Sequence, residues 1–287
     1  MDKDRKQSGF SLMEVLIATG IMAIGLVMVA TIFPVGVKLT TLTTERTVGA
    51  VVADEAFAKI QLYGLRDFQY WPVGDPNEAC TDFQYAIKPT IDFNVDGSIN
   101  ISDVALSVWD EFLYPSATMP AGQDNNYHWS ALCRRMGAKD VQVTVFVNRK
   151  IGSGAGFYGY DSALVPTIPP VPYNDWPMPV RVEVNREDSK ILTIDTAGVW
   201  SNTALEFFDD GYMIVDDLTG NKYRVLEVDP LSGTLKLQGD WVGDLTAVPP
   251  LTYPVPTLIW VVPPAVGSDR YPCVGVYQKV IRFDDIK

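Results

Sequence analysis

The chain has 287 residues, enough for one large or two small domains, and a formal net charge of −12. That balance excludes nucleic acid as a partner, and any basic membrane-surface patch beyond the first few residues. A hydrophobic share of 47% suits a globular chain with one membrane segment.

Lys3, Arg5 and Lys6 lead into Ser8-Gly9-Phe10-Ser11-Leu12-Met13-Glu14, and from Val15 to Val37 no residue is charged. At about 1.5 Å per residue, a helix over that run covers about 35 Å, enough to cross a hydrocarbon core of about 30 Å. The positive-inside rule then places the cationic start in the cytoplasm and the bulk of the chain outside. A cleaved secretory signal would need a small-residue site after the run, and Thr31-Ile32-Phe33-Pro34-Val35-Gly36 is a poor one. An uncut signal anchor is the other simple alternative.

Glu14 has two compatible readings. Ser11-Leu12-Met13-Glu14 fits the S-x-x-E capping box, and the helix dipole favours an acid in the first turn. An ionisable side chain at the edge of a spanning helix is also a functional candidate by default. Gly20 and Gly25 permit close helix approach, and Pro34 is expected to kink or locally melt the helix.

The charged leader ending in Gly9, the acid at Glu14 and the apolar helix together resemble the prepilin leader of type IV pilins and type II secretion pseudopilins. The resemblance is specific over residues 6 to about 37. It implies cleavage after Gly9 by a membrane peptidase and methylation of the new N-terminal Phe10. Glu14, then the fifth residue, would meet the N-terminal amine of a neighbouring subunit and help register it in a fibre. The implied partners are other pilin or pseudopilin subunits, the prepilin peptidase/methyltransferase and the inner membrane. The implied location is the cytoplasmic membrane, with the C-terminal domain outside the cytoplasm, and then a pilus or pseudopilus.

Past the apolar run, Val48, Val52, Ala56, Ile60 and Tyr63 recur at spacings of four and three, which predicts that the helix continues to about Gly64. Its second half needs a soluble domain to pack on. The expected fold class is α+β, a long N-terminal helix packed on an antiparallel β-sheet domain, which is also the pilin plan. The expected divisions are a leader at 1–9, the long helix at 10–64 with its membrane segment at about 15–37, an irregular insertion at 65–127, and a β-rich domain at 128–287.

Within the insertion, Asp92-Phe93-Asn94-Val95-Asp96-Gly97-Ser98-Ile99-Asn100-Ile101-Ser102-Asp103 has the pattern of a twelve-residue calcium loop. Asp92, Asn94, Asp96 and Asp103 supply side-chain oxygens, Ser98 a carbonyl, and Asn100 a direct or water-bridged contact. Gly97 falls where the chain must turn sharply. Ile101, Val104, Ala105, Val108, Trp109 and Phe112 mark one face of an exiting helix. The loop resembles a single dockerin repeat more than a full EF-hand, because Ala86–Thr90 reads as extended and position 12 is Asp. Calcium would act structurally here, neutralising clustered carboxylates. The alternative is an Asx-rich turn followed by a helix.

From His128 onward the chain reads as strands. Val141, Val143, Val145 and Val147 alternate with polar residues and Phe146, the period of a half-buried strand. Gly152–Pro179 reads as a long loop. Val180–Val184 and Lys190–Ile194 read as short strands. Tyr212–Val215, Lys222–Val228 and Thr234–Leu237 form a meander joined at Thr219-Gly220-Asn221 and at 229–233. Leu258–Val262 lies among six prolines and is expected to be short or at an edge, and Val274–Phe283 is the last strand.

No catalytic constellation emerges, and the chain is expected not to be an enzyme. His128 is the only histidine and lies beside aromatics, so a packed or surface role is expected. Asp209-Asp210, Asp216-Asp217 and Asp284-Asp285 read as solvated turns. Cys80, Cys133 and Cys273 lack metal spacing and allow either one disulfide outside the cytoplasm, with no pairing readable, or three buried free cysteines. The seven tryptophans could form a sugar- or protein-binding face, although such residues more often fill a β core. The functional expectation is a minor pilin or pseudopilin. The alternative is a membrane-anchored, calcium-stabilised module that binds a protein or glycan.

Overall fold

The computed structural model describes residues 11–63, 85–87, 113–114, 126–137, 139–151, 156–160, 166–167, 177–195, 200, 203–241, 254–268 and 270–283. One α-helix, α1 (Leu12–Tyr63), precedes thirteen strands among these residues, with a 3-10 turn at Ala204–Phe207. They are β1 (Tyr85–Ile87), β2 (Leu113–Tyr114), β3 (Tyr127–Arg135), β4 (Asp140–Arg149), β5 (Gly159–Tyr160), β6 (Pro166–Thr167), β7 (Val180–Arg186), β8 (Ile191–Ile194), β9 (Met213–Asp216), β10 (Lys222–Asp229), β11 (Thr234–Leu237), β12 (Val255–Val261) and β13 (Cys273–Arg282). The class is α+β, as expected.

The chain divides into two compact units, Met1–Thr47 and Val48–Lys287. In the first, every residue from Ser11 to Thr44 is exposed. α1 runs through Pro34 without interruption, so the expected local melting does not occur. A proline removes one backbone bond, and the uninterrupted helical turns on both sides hold the segment.

In the second unit, Val52, Ala53, Ala56, Phe57 and Ile60 of α1 are buried against Trp129, Ala131, Cys133, Val141, Val143, Val145 and Val147. This is the periodicity read from the sequence, widened by Ala53 and Phe57. Each fully buried aliphatic or aromatic side chain contributes about 1.5–3 kcal/mol. That exceeds the few tenths per residue set by helix propensity, so packing rather than propensity fixes this half of α1.

The sheet under the helix has the order β1-β3-β4-β13, with β2 also on β3. Its ladders are antiparallel. The second ladder system is a closed antiparallel barrel, β10-β11-β8-β7-β12-β9. The meander and short strands were legible, but their closure into a barrel was not. The barrel interior holds Val180, Val182, Val184, Leu192, Phe207, Ile214, Val225, Leu235 and Ile259.

The barrel overturns two expectations. β4 is not half-buried: Thr144, Phe146 and Asn148, opposite its valine face, are buried too. Phe146 packs with Val215, Trp260 and Val262 of the barrel side, so the sheet is covered on both faces. Nor is β12 an edge strand, since it pairs with both β7 and β9. Its Pro256 is tolerated because β9 reaches only Ile259 and Trp260, leaving the proline end with a ladder on one flank. The Gly152–Pro179 segment is also not all loop, as β5 pairs with β6 and Phe157 bridges Ala265.

A polar seam joins sheet and barrel. Arg134 of β3, almost fully buried, donates from Nη1 to the Leu218 carbonyl at 2.7 Å and from Nη2 to Gln142 Oε1. Gln278 of β13 donates to Thr144 Oγ1 at 3.0 Å and to the Gly220 carbonyl. The turn that follows β9 therefore docks on the sheet through its backbone carbonyls.

Candidate functional site: the start of the apolar helix

Ser11 caps α1. Its Oγ accepts from the Met13 amide at 3.2 Å, and its carbonyl accepts from Glu14 and Val15 at 3.0 and 3.2 Å. The capping half of the S-x-x-E reading is thus formed, and it satisfies amides that a helix start leaves open. Glu14 follows in the first turn, exposed, with no cation paired to it among the described residues. Its charge sits where the helix dipole favours an anion, beside an apolar surface where water would be displaced.

The helix beyond it is apolar on every side and fully exposed, from Val15 and Leu16 through Phe33 to Val37. It is long and apolar enough to cross a membrane. Positions Gly20, Gly25 and Gly36 open directly to their surroundings, with nothing within 4 Å of an added Cβ. The threonines hide their polarity. Thr19, Thr40, Thr41, Thr43, Thr44 and Thr47 each donate from Oγ1 to the carbonyl four residues back, at 2.9–3.0 Å. A hydroxyl satisfied within its own helix leaves a methyl facing outward, which lowers the cost of apolar surroundings. The continuation of the helix past Lys38 was expected, but the inward bonding of its threonines in Leu39-Thr40-Thr41-Leu42-Thr43-Thr44 was not.

Residues 4–30 match the family model described as the prokaryotic N-terminal methylation motif. The matched stretch contains Gly9, Phe10 and Glu14 and supports a type IV pilin-like precursor anchored in a membrane by its apolar helix. No curated protein and no solved structure gives a significant match.

The remaining candidates are dispersed. Gly9 and Phe10 lie outside the described residues, as do Asp92, Asn94, Asp96, Ser98, Asn100 and Asp103 of the calcium-type loop, with Cys80 and Asp284-Asp285. Among the described residues no group of three or more His, Cys, Asp or Glu is placed to hold a metal. His128 is packed rather than exposed. Nε2 lies 2.9 Å from the Pro177 carbonyl, an acceptor also used by Asn148 Nδ2 at 3.3 Å. Burial pushes the His128 imidazole down to about 4, and the bond to Pro177 only partly offsets it.

One acidic pair was misread. Asp216 and Asp217 are buried, not solvated. Asp216 accepts from the amides of Leu218 and Thr219 and from the Thr219 hydroxyl, and burial raises its pKa against those bonds. Asp217 accepts from Trp260 Nε1 and faces Arg181 Nη1 at 3.6 Å. Both acids anchor the turn that meets the sheet.

Trp129, Trp200, Trp241 and Trp260 are buried, so these four fill cores rather than a binding face. Among the described residues Cys133 and Cys273 are free thiols, so these two do not pair with each other. Burial pushes the Cys273 thiol up to about 12, which disfavours its thiolate.

Proposed function

We propose that this chain is a minor pilin or pseudopilin, cut after Gly9, methylated at Phe10 and assembled into a type IV pilus or type II secretion pseudopilus. The observation that carries the reading is the methylation-motif match over residues 4–30, with Glu14 in the first turn of an apolar helix exposed on all sides. Its partners are then sister subunits and the prepilin peptidase/methyltransferase, and its role is assembly rather than catalysis. The precursor sits in the inner membrane with its β unit outside the cytoplasm. Mass spectrometry of the mature chain tests this. An N-terminal N-methyl-Phe10 is expected, and an intact Met1–Gly9 leader would favour the uncut anchor instead.

Calcium belongs to the same proposal as a structural ion in loop 92–103, held by Asp92, Asn94, Asp96, Asp103, the Ser98 carbonyl and Asn100. An ion that binds only the folded chain raises its melting temperature with concentration. Chelator should lower the melting temperature of the full chain in detergent, and calcium should restore it. Asp96→Ala should abolish that response. A parent chain that melts identically with chelator and with calcium removes the ion from the reading.

A further inference from the structure

α1 begins at Leu12, two residues after Phe10 in the sequence. In an α-helix each amide donates to the carbonyl four residues back. A helix that ran one turn further towards the amino terminus would therefore spend the Met13 amide on the Gly9 carbonyl and the Glu14 amide on the Phe10 carbonyl. Both amides are already engaged. Met13 donates to Ser11 Oγ at 3.2 Å, and Glu14 donates to the Ser11 carbonyl at 3.0 Å. The hydroxyl of Ser11 is thus a competitor of the Gly9 carbonyl for one donor.

On the processing reading above, that carbonyl belongs to the bond that leader removal breaks. Hydrolysis adds water across the bond between the Gly9 carbonyl carbon and the Phe10 nitrogen, leaving a Gly9 carboxylate and a Phe10 amine. As water attacks the carbon, negative charge gathers on the carbonyl oxygen, which a peptidase stabilises with its own donors. An oxygen bonded to Met13 inside a helix would lie along the helix axis, turned away from such donors. The sequence holds a rival cap that would create this state. Ser8 stands one turn before Ser11, in Ser8-Gly9-Phe10-Ser11, where a serine can cap a helix that takes in Gly9 and Phe10. Glycine at position 9 disfavours that longer helix, and the Ser11 cap adds to the bias.

We infer that Ser11 is a positioning residue for leader removal: its hydroxyl holds the Met13 amide, and so keeps the Gly9 carbonyl out of the helix and open to the peptidase. This role rests on the processing reading of the matched residues 4–30, and adds to it a group that governs how fast the bond is cut.

The test is leader removal from the full-length precursor in inner-membrane vesicles that carry the prepilin peptidase, followed over time by mass spectrometry. Ser11→Thr and Ser11→Val share a shape and differ in the hydroxyl. The threonine variant is expected to be cut within about twofold of the parent rate, and the valine variant about fivefold more slowly, the factor an ordinary N-cap contributes. Adding Ser8→Ala to Ser11→Val removes the rival cap and should return part of the rate. Loss of a direct contact between Ser11 and the peptidase would show no such recovery. A valine variant cut as fast as the parent overturns the role of Ser11 and leaves the processing reading standing, and so does a slow valine variant that Ser8→Ala does not rescue. A parent chain that keeps its leader overturns the processing reading itself, and the role of Ser11 with it.

Discussion

The hydroxyl of Tyr277 lies 2.9 Å from the point a Cβ on Gly49 would occupy, with Val274 Cγ1 at 3.2 Å. The ring also crosses Gly275, whose added Cβ would meet it at 2.9–3.1 Å. Two glycines, one on α1 and one at the β13 bulge, thus give the tyrosine room to wedge between helix and sheet. Adding a methyl at Gly49 is expected to force the ring aside and lower the thermal midpoint of the full chain, at about 1–3 kcal/mol for overpacking. Tyr277→Phe removes the nearest atom and should recover part of the loss in Gly49→Ala. A double-mutant cycle with no coupling between the two positions would show that this contact does not set the spacing.

Gly220 and Gly233 separate strain from collision. Both have positive φ, +70° and +68°, so alanine at either costs about 1–2 kcal/mol of backbone strain. Only at Gly220 would the new Cβ strike neighbours, Gln142 Oε1 at 2.8 Å and Arg134 Nη2 at 3.0 Å, while Gly233 has nothing within 4 Å. Arg134 cannot swing clear, because it is buried and bonded to the Leu218 carbonyl. Gly220→Ala should therefore lower the melting temperature distinctly more than Gly233→Ala. Equal losses would mean that the seam between sheet and barrel yields freely.

The contrast between these glycines shows what the sequence made readable. Both turns were legible from Thr219-Gly220-Asn221 and from 229–233, since turn chemistry is local. That Gly220 is pressed against Arg134, 86 residues earlier in the chain, was not, because barrel closure is a long-range event. The same limit explains Asp216-Asp217, read as solvated and found buried under β12 and the sheet, and Pro256, whose neighbours suggested an edge. The helix face at Val48, Val52, Ala56 and Ile60 was legible because a helix carries its own period into the sequence. Glu14 and its cap were legible for the same reason, every group involved lying within one turn.

His128 gives the fold an acid-side weakness. Its imidazole stays neutral in the folded chain down to about pH 4, against an ordinary value of 6.5. Above pH 6.5 both folded and unfolded chains hold it neutral, and its full contribution is present. As pH falls from 6.5 towards 4, the unfolded chain takes up the proton first and stability is lost. The loss levels off below the folded value, at about 3 kcal/mol. Other groups titrate in this window, so the informative quantity is the difference between parent and His128→Gln. Glutamine retains a donor for the Pro177 carbonyl without the titration. The stability gap between the two should shift in favour of the variant between pH 7 and pH 4.5, measured by thermal melting. A gap that stays constant would place the imidazole in contact with water.

Glu14 and Gly9 should fail at different steps. On the proposed function, Gly9 lies at the bond to be cut, and a larger residue there should leave the leader attached. On that function Glu14 would act later, through charge. An acid and an amine about 4 Å apart attract by about 4 kcal/mol at an effective dielectric constant of about 20, more than enough to bias a subunit between lipid and fibre. Glu14→Gln keeps the size and hydrogen-bonding capacity of the side chain and removes only the charge. It should yield chains that begin with N-methyl-Phe10 by mass spectrometry yet are missing from sheared filament fractions, whereas Gly9→Val should yield membrane-bound chains that begin with the leader. Normal incorporation of Glu14→Gln would show that the exposed acid in the first turn of α1 serves only as part of the helix cap.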